Sequence, residues 1–354
     1  MVSERKRALR PTVAVIIPYY NGSRYIDRAA KSVLAQTVPP HEFVVVNDGS
    51  QPEEARYLHD VAATYGFRVI DQENGGQGSA RNAGVAATTS DYISFLDQDD
   101  FYLDTHIETL LNAVPEGDRH LGWIYGDLFE AEDDGSIIRT TIVNHLSKHP
   151  KTSIHDLMHA DMFVLPSASL ITRKSFEAVG GFDTQFSGYE DDDLFLRIFR
   201  KGFTNYFTAQ PVTVWCINNA STSFGIRMIR SRMRYFKKLA AMFPDNMAAG
   251  RPYMLYSLIP RFHIFFLGDA HNAIVCPTPL RDAWLKPYAD EMLDNFKEYV
   301  DIACQSPSVS PRLQRRLRWQ YRVLATKSVP LIKIAFGLIN GVRRIRSLFP
   351  SPRT

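Results

Sequence analysis

The stretch YISFLDQDD, residues 92–100, joins a short apolar run to three carboxylates within four positions, Asp97, Asp99 and Asp100. A run of that length bounded by turn residues reads as a buried strand. Carboxylates fixed at its tip need a reason, because two like charges about 4 Å apart repel by about 4 kcal/mol at an effective dielectric of about 20. A cation relieves that repulsion. Hard oxygen donors with no Cys or His beside them suit Mg2+ or Mn2+, and Mg2+ in particular binds through one or two carboxylates plus substrate phosphates. A solvated turn, with Asp104 capping the next helix, is the plainer alternative.

Upstream of this stretch, strands and helices alternate. VAVII (13–17) is β-branched and short, and the helix that follows places Ile26, Ala30, Val33 and Leu34 on one face. FVVVND (43–48) reads as a second strand, and the next helix opens on Pro52 with early acids. FRVID (67–71) is a third strand, followed by the glycine-rich NGGQG and a further helix. Such βαβα order predicts a mostly parallel α/β sheet flanked by helices, with ligands at the carboxyl ends of the strands. Those ends carry Tyr20 and Asn21, then Asp48, then Asp97 to Asp100. Downstream, a hairpin is expected around DDG (133–135), a strand at SASLITR (167–173) and a helix at EDDDLFLRIFRKG (190–202). From about residue 225 the pattern is mostly helical with prolines at the boundaries. A catalytic domain over 1–224 and a helical region over 225–354 are therefore expected.

With 354 residues, 45% hydrophobic and 22% charged, the chain reads as an ordinary globular protein, and a net charge of +3 predicts no nucleic-acid partner. Cys216, Cys276 and Cys304 lie far apart, which argues against a disulfide framework and a structural zinc site and fits a reducing cytoplasm. The apolar run near the start is too short for a signal peptide or a membrane span.

A second acidic cluster lies in GGFDTQFSGYEDDDLFLR (180–197), where four successive acids, Glu190 to Asp193, exceed what a helix N-terminus needs. With VAVIIPYYN, VVVNDGS, NGGQGSARNAG and FLDQDD before it, this set resembles the inverting family 2 glycosyltransferases, nucleotide-diphospho-sugar transferases of GT-A fold, across roughly residues 12 to 223. The resemblance implies that Asp97 and Asp99 form a D-x-D metal motif. Asp99 then binds the Mn2+ or Mg2+ that bridges the donor diphosphate, and Asp97 lies near the ribose or the metal. It places the nucleobase near Pro18, Tyr20 and Asp48, with Asp48 accepting an imide N–H and so favouring uracil over cytosine. Arg81 is implied to meet the diphosphate or nucleoside, a structural salt bridge being its other reading. Asp191 matches the general base, ionised at neutral pH if its pKa is the ordinary value of about 3.9. Glu190 orients the acceptor, and Asp193 with Arg197 reads as a helix pair. Many members carry a histidine where this chain has Asn218 and Asn219.

The implied activity is metal-dependent, inverting transfer from a UDP-linked sugar to a hydroxyl of a glycan or lipid-linked acceptor in surface polysaccharide biosynthesis. A dinucleotide-binding oxidoreductase fails because the glycines follow the third strand, not the first. A sugar-phosphate nucleotidyltransferase would want a glycine-rich basic loop after the first strand. An inactive carbohydrate-binding protein on the same fold stays open. The basic, apolar tail PLIKIAFGLINGVRRIRSLFP (330–350) suggests a helix lying on the inner membrane face, the alternative being one that packs on the catalytic domain or a partner chain.

Overall fold

Strand β1 (Val13–Tyr19) is buried along its whole length, with β2 (Glu42–Asp48) parallel on one side and β4 (Tyr92–Phe95) parallel on the other. β3 (Arg68–Gln72) lies beyond β2, also parallel. β4 pairs with β1 only from Val13 to Ile16. The carbonyls of Thr12 and Ile16 accept from the β4 side and that of Val13 from the β2 side, so even positions of β1 face β4. Pro18 would direct its backbone nitrogen towards a strand that has already turned away, and its missing N–H costs no ladder bond.

The computed structural model describes residues 11–217, 225–278 and 282–337. Helix α1 (Ser23–Leu34) follows β1, α2 (Pro52–Tyr65) follows β2, and α3 (Gln77–Ala86) follows β3. α3 packs directly on β1: a Cβ at Gly84 would stand 2.4 Å from Ile16 Cγ2, so only glycine fits. This parallel core is extended in the order β3-β2-β1-β4-β8-β6-β9-β5. β5 is Phe101–Tyr102, β6 Leu121–Ala131, β8 Ser169–Thr172 and β9 Thr204–Cys216; β7 (Ile137–Arg139) pairs back on β6 as the hairpin around Asp133–Gly135. β8 runs antiparallel between β4 and β6, and β9 is parallel to β6. The result is an α/β sheet with a parallel first half and a mixed second half. The helix from Glu190 to Arg200 is amphipathic, with Leu194, Phe195, Leu196 and Ile198 buried.

The chain divides into two units, one of residues 1–157 and 161–232, the other of residues 158–160 and 233–354. The second contains helices Ile259–Val275, Ala289–Gln305 and Pro311–Ala325, built around an aromatic core of Phe236, Phe262, Phe266, Phe296 and Tyr299. No helix among the described residues is long and apolar enough to cross a membrane. The tail is described only as far as residue 337. Ile332 is fully buried there and the Phe336 ring packs on His271 and Trp319, which leaves Leu331 and Ile334 exposed. Leu338 onward lies outside the described residues, as do Asn218 and Asn219.

Candidate functional site

Because β1 to β4 are parallel, the loops after them meet along one edge of the sheet. The loop after β1 is tied to its neighbours on both sides. Tyr20 N–H donates to Gln98 Oε1 (2.9 Å), and Gln98 Nε2 returns a bond to the Tyr20 carbonyl (3.2 Å). Asn21 N–H donates to Ser50 Oγ, while Asn21 Oδ1 accepts from Gln51 N–H. The Tyr20 side chain is left 47% exposed, which suits a face offered to a ligand ring. Pro18 is buried.

Asp48 ends β2 and is only 4% exposed. Its Oδ1 accepts from Gln72 Nε2 (2.7 Å) and Gly75 N–H (2.8 Å), and its Oδ2 from Gly76 N–H (2.8 Å). Three donors leave one of its roughly four lone-pair positions. Gly49 makes this approach possible, since it sits at φ +70° and a Cβ there would lie 2.7 Å from Asn74 N.

Asp97 Oδ1 accepts from Gln77 Nε2 (2.7 Å) and Arg81 Nη2 (2.6 Å), and its side chain is 33% exposed. The other Arg81 nitrogen, Nη1, donates to Glu190 Oε1 at 3.1 Å. Arg81 is 2% exposed and lies over the Phe182 ring. Of its two readings, the salt bridge is what the structure contains: one buried guanidinium joins the end of β4 to the start of the Glu190 helix. The neighbouring acids differ in role. Arg28 donates to the Asp99 carbonyl (2.7 Å), fixing the backbone of the D-x-D turn. Asp100 is turned inward, accepting from Cys216 N–H on β9 (2.9 Å), and burial, with Asp99 and Asp97 nearby, raises its pKa well above the usual carboxylate range.

The second acidic cluster is held by a strained turn. Gly188 (φ 131°) and Tyr189 (φ 68°) are left-handed, Gly188 N–H donates to Glu190 Oε2, and Arg232 Nε donates to the Tyr189 hydroxyl at 3.1 Å. Glu190 is buried, whereas Asp191 is partly open to solvent. Asp191 Oδ1 accepts the N–H of Asp192. Burial, then the charges of Asp192 and Glu190, lift its pKa well above the ordinary carboxylate value, so the simple expectation of an unshifted Asp does not hold. Asp193 and Arg197 form the expected helix pair at 2.7 Å.

Gln77, Gln98 and Arg28 were not singled out from the sequence. Both glutamines sit inside recognisable motifs, but nothing in their spacing states which carboxylate or carbonyl they reach. A lysine at position 81 would keep the charge but not the two-armed geometry. Arg81→Lys is expected to lower turnover at least tenfold and to lower the melting temperature, checked by initial rates and thermal unfolding; a parent-like rate would remove Arg81 from the site's architecture.

Residues 14–180 match the family model for glycosyl transferase family 2, and residues 165–216 match one described as the N-terminal domain of galactosyltransferase. An uncharacterized glycosyltransferase of Rickettsia bellii is 33% identical over 313 residues, which is 82% of this chain and 45% of that protein. Escherichia coli chondroitin synthase is 30% identical over 194 residues, 54% of this chain and 27% of that one. The chain thus spans less than half the length of either relative. Among solved structures, Staphylococcus aureus TarS 1–349 in complex with UDP-GlcNAc superposes with a TM-score of 0.59 at 13% identity, covering 91% of this chain and 89% of that one. A Pyrobaculum calidifontis mannosyltransferase in complex with GDP-Man and Mn2+ gives 0.53 at 18% identity, covering 91% and 88%. Those identities speak for the fold, the family model speaks for the motifs, and together they make this chain a member of glycosyl transferase family 2, with the GT-A fold.

Proposed function

We propose that the chain transfers a sugar from a nucleotide-diphospho-sugar, UDP-linked, to a hydroxyl of a glycan or lipid-linked acceptor, with inversion at the anomeric carbon. The observation that carries this reading is the shared cation. Arg81 binds Asp97 and Glu190 at once, so two acidic motifs some ninety residues apart meet at one buried guanidinium. In this reading Tyr20 stacks on the base and Asp48 accepts its imide N–H with the remaining lone pair. Asp191 takes the proton from the attacking hydroxyl, and Glu190, locked by Arg81 and Gly188, positions it.

A divalent ion fits the residues present. Among the described residues, no three His, Cys, Asp or Glu side chains are gathered to hold an ion on their own. What the D-x-D turn offers is a small set of carboxylate oxygens, with Asp97 Oδ2 outside the bonds to Gln77 and Arg81. Such a sparse, all-oxygen set suits Mg2+ or Mn2+ completed by donor phosphates. Asp99 and Asp97 would hold it, and it would supply charge stabilisation for the departing diphosphate. The mannosyltransferase solved with GDP-Man and Mn2+ supports metal use on this fold.

Membrane contact by the tail has limited support, since the described part spends Ile332 and Phe336 on packing within its own unit. The test of the main reading is a screen of nucleotide sugars for transfer or hydrolysis, followed by proton NMR of the fresh product. A UDP-sugar should be the substrate, and the product should have the opposite anomeric configuration to the donor. Retention would contradict Asp191 as the base, and a lack of turnover with every UDP-sugar would contradict the donor class.

A further inference from the structure

Helix Pro311–Ala325, PRLQRRLRWQYRVLA, carries five arginines and no acid. Its inner side is fixed: Leu317 (1% exposed), Gln320 (3%) and Leu324 (0%) are buried within the second unit. Arg312, Arg315, Arg316, Trp319 and Arg322 are exposed. Their spacing places them on one outward face, about 15 Å long at 1.5 Å per residue. Among the described residues none of these four arginines is in an ion pair. Three of the five acids of the adjacent helix Ala289–Gln305 are engaged elsewhere, Asp290 by Lys327, Glu298 by Lys237 and Asp301 by Lys297.

We infer that this face is a docking strip for an anionic glycan chain, one bearing carboxylate, sulfate or phosphate groups along a sugar backbone. Four unneutralised guanidiniums in a row call for a linear polyanion, and planar forks suit such oxyanions two at a time. Trp319 chooses among polyanions. It is the only large apolar side chain the helix exposes, at 40%, and it stands between Arg315/Arg316 and Arg322. That alternation of cation and flat ring matches a polymer that alternates charge with the C–H face of a pyranose. A bilayer would ask for something else, an apolar face to insert with cations at its margins. Here the leucines of the helix are turned inward, so the strip has no such face. The inference rests on the transferase reading only in naming a glycan as the polymer that such a chain would need to hold.

The test measures binding by the full chain without donor, metal or turnover, so its failure is separate from failure of the transferase reading. The probes are a heparin oligosaccharide, an uncharged dextran of similar length, phosphatidylcholine vesicles containing phosphatidylglycerol, and a single-stranded oligonucleotide. The heparin fragment should bind most tightly at low salt and dextran should not bind. Arg315→Gln/Arg316→Gln/Arg322→Gln should weaken heparin binding at least tenfold. By counterion release, each lost contact should lower the slope of log affinity against log salt by about one. Trp319→Leu, which keeps an apolar contact with Phe336, should weaken binding severalfold with the slope unchanged. The proposal is overturned if vesicles or the oligonucleotide bind more tightly than heparin, if the triple variant binds like the parent, or if Trp319→Leu has no effect.

Discussion

Asp191→Asn is expected to lower turnover by roughly 10² to 10⁴, the usual contribution of a positioned general base, while leaving donor binding intact. It should also raise the melting temperature. The Asp191 pKa is raised by burial and by the charges of Asp192 and Glu190, so the folded protein favours its protonated form. A carboxyl shifted upward in this sense costs stability above its raised pKa and recovers it as pH falls through that value. Asparagine is neutral at every pH and its Oδ1 can still accept the Asp192 N–H, so it relieves the cost and keeps that hydrogen bond. The same shift fixes the pH profile. The base works deprotonated, so kcat/KM should fall as pH drops through a limb lying well above about 3.9, the ordinary Asp value. A limb at the ordinary value, or a variant with the parent rate, would move the base elsewhere, to Asp192 or Glu190.

Removing the divalent ion is expected to stop turnover. Excess chelator should abolish transfer, added Mn2+ or Mg2+ should restore it, and Asp99→Ala should not be rescued by either at ordinary concentrations. The physical reason is the leaving group, since a nucleoside diphosphate gains charge as the glycosidic bond breaks and few protein cations stand ready to meet it. Arg81 is already committed to Asp97 and Glu190, and Arg28 to the Asp99 and Asp133 carbonyls. Calorimetry of Mn2+ binding in the presence of UDP, with and without the Asp99 carboxylate, separates loss of metal from loss of fold. Full turnover in excess chelator would sink the metal reading.

Much of this was legible in the chain. The strands at residues 13, 42, 68 and 92 announced themselves as short β-branched or aromatic runs, and their parallel order followed from the helices between them. The two acidic motifs were visible because carboxylates at a strand tip, or four deep at a helix start, exceed what local structure requires. Other parts depended on distance in sequence. β5 has two residues, Phe101 and Tyr102, too few for any periodicity, and it exists because β9 is there to pair with it. The partners of Arg81 lie 16 and 109 positions away, and no local pattern encodes such a pairing. The Asp191 pKa was misjudged for the same reason, because desolvation is a property of the assembled site and not of the residue. The basic tail allowed either a membrane-surface helix or one packed on protein, and over the part described the burial of Ile332 speaks for packing.

The guanidinium of Arg81 also bears on how such enzymes can be recombined. It lies in the segment that matches the family model, whereas Glu190 lies beyond that segment, in the stretch matched by the second model. The two matched segments are therefore not free cassettes. A chimera joining the first half of this chain to a second half without an acid at position 190 would keep the Arg81–Asp97 pair but leave Arg81 Nη1 buried without its acceptor, at a cost of about 1 to 3 kcal/mol. Exchange of segments between relatives is expected to be tolerated better where the graft carries both ends of that pair.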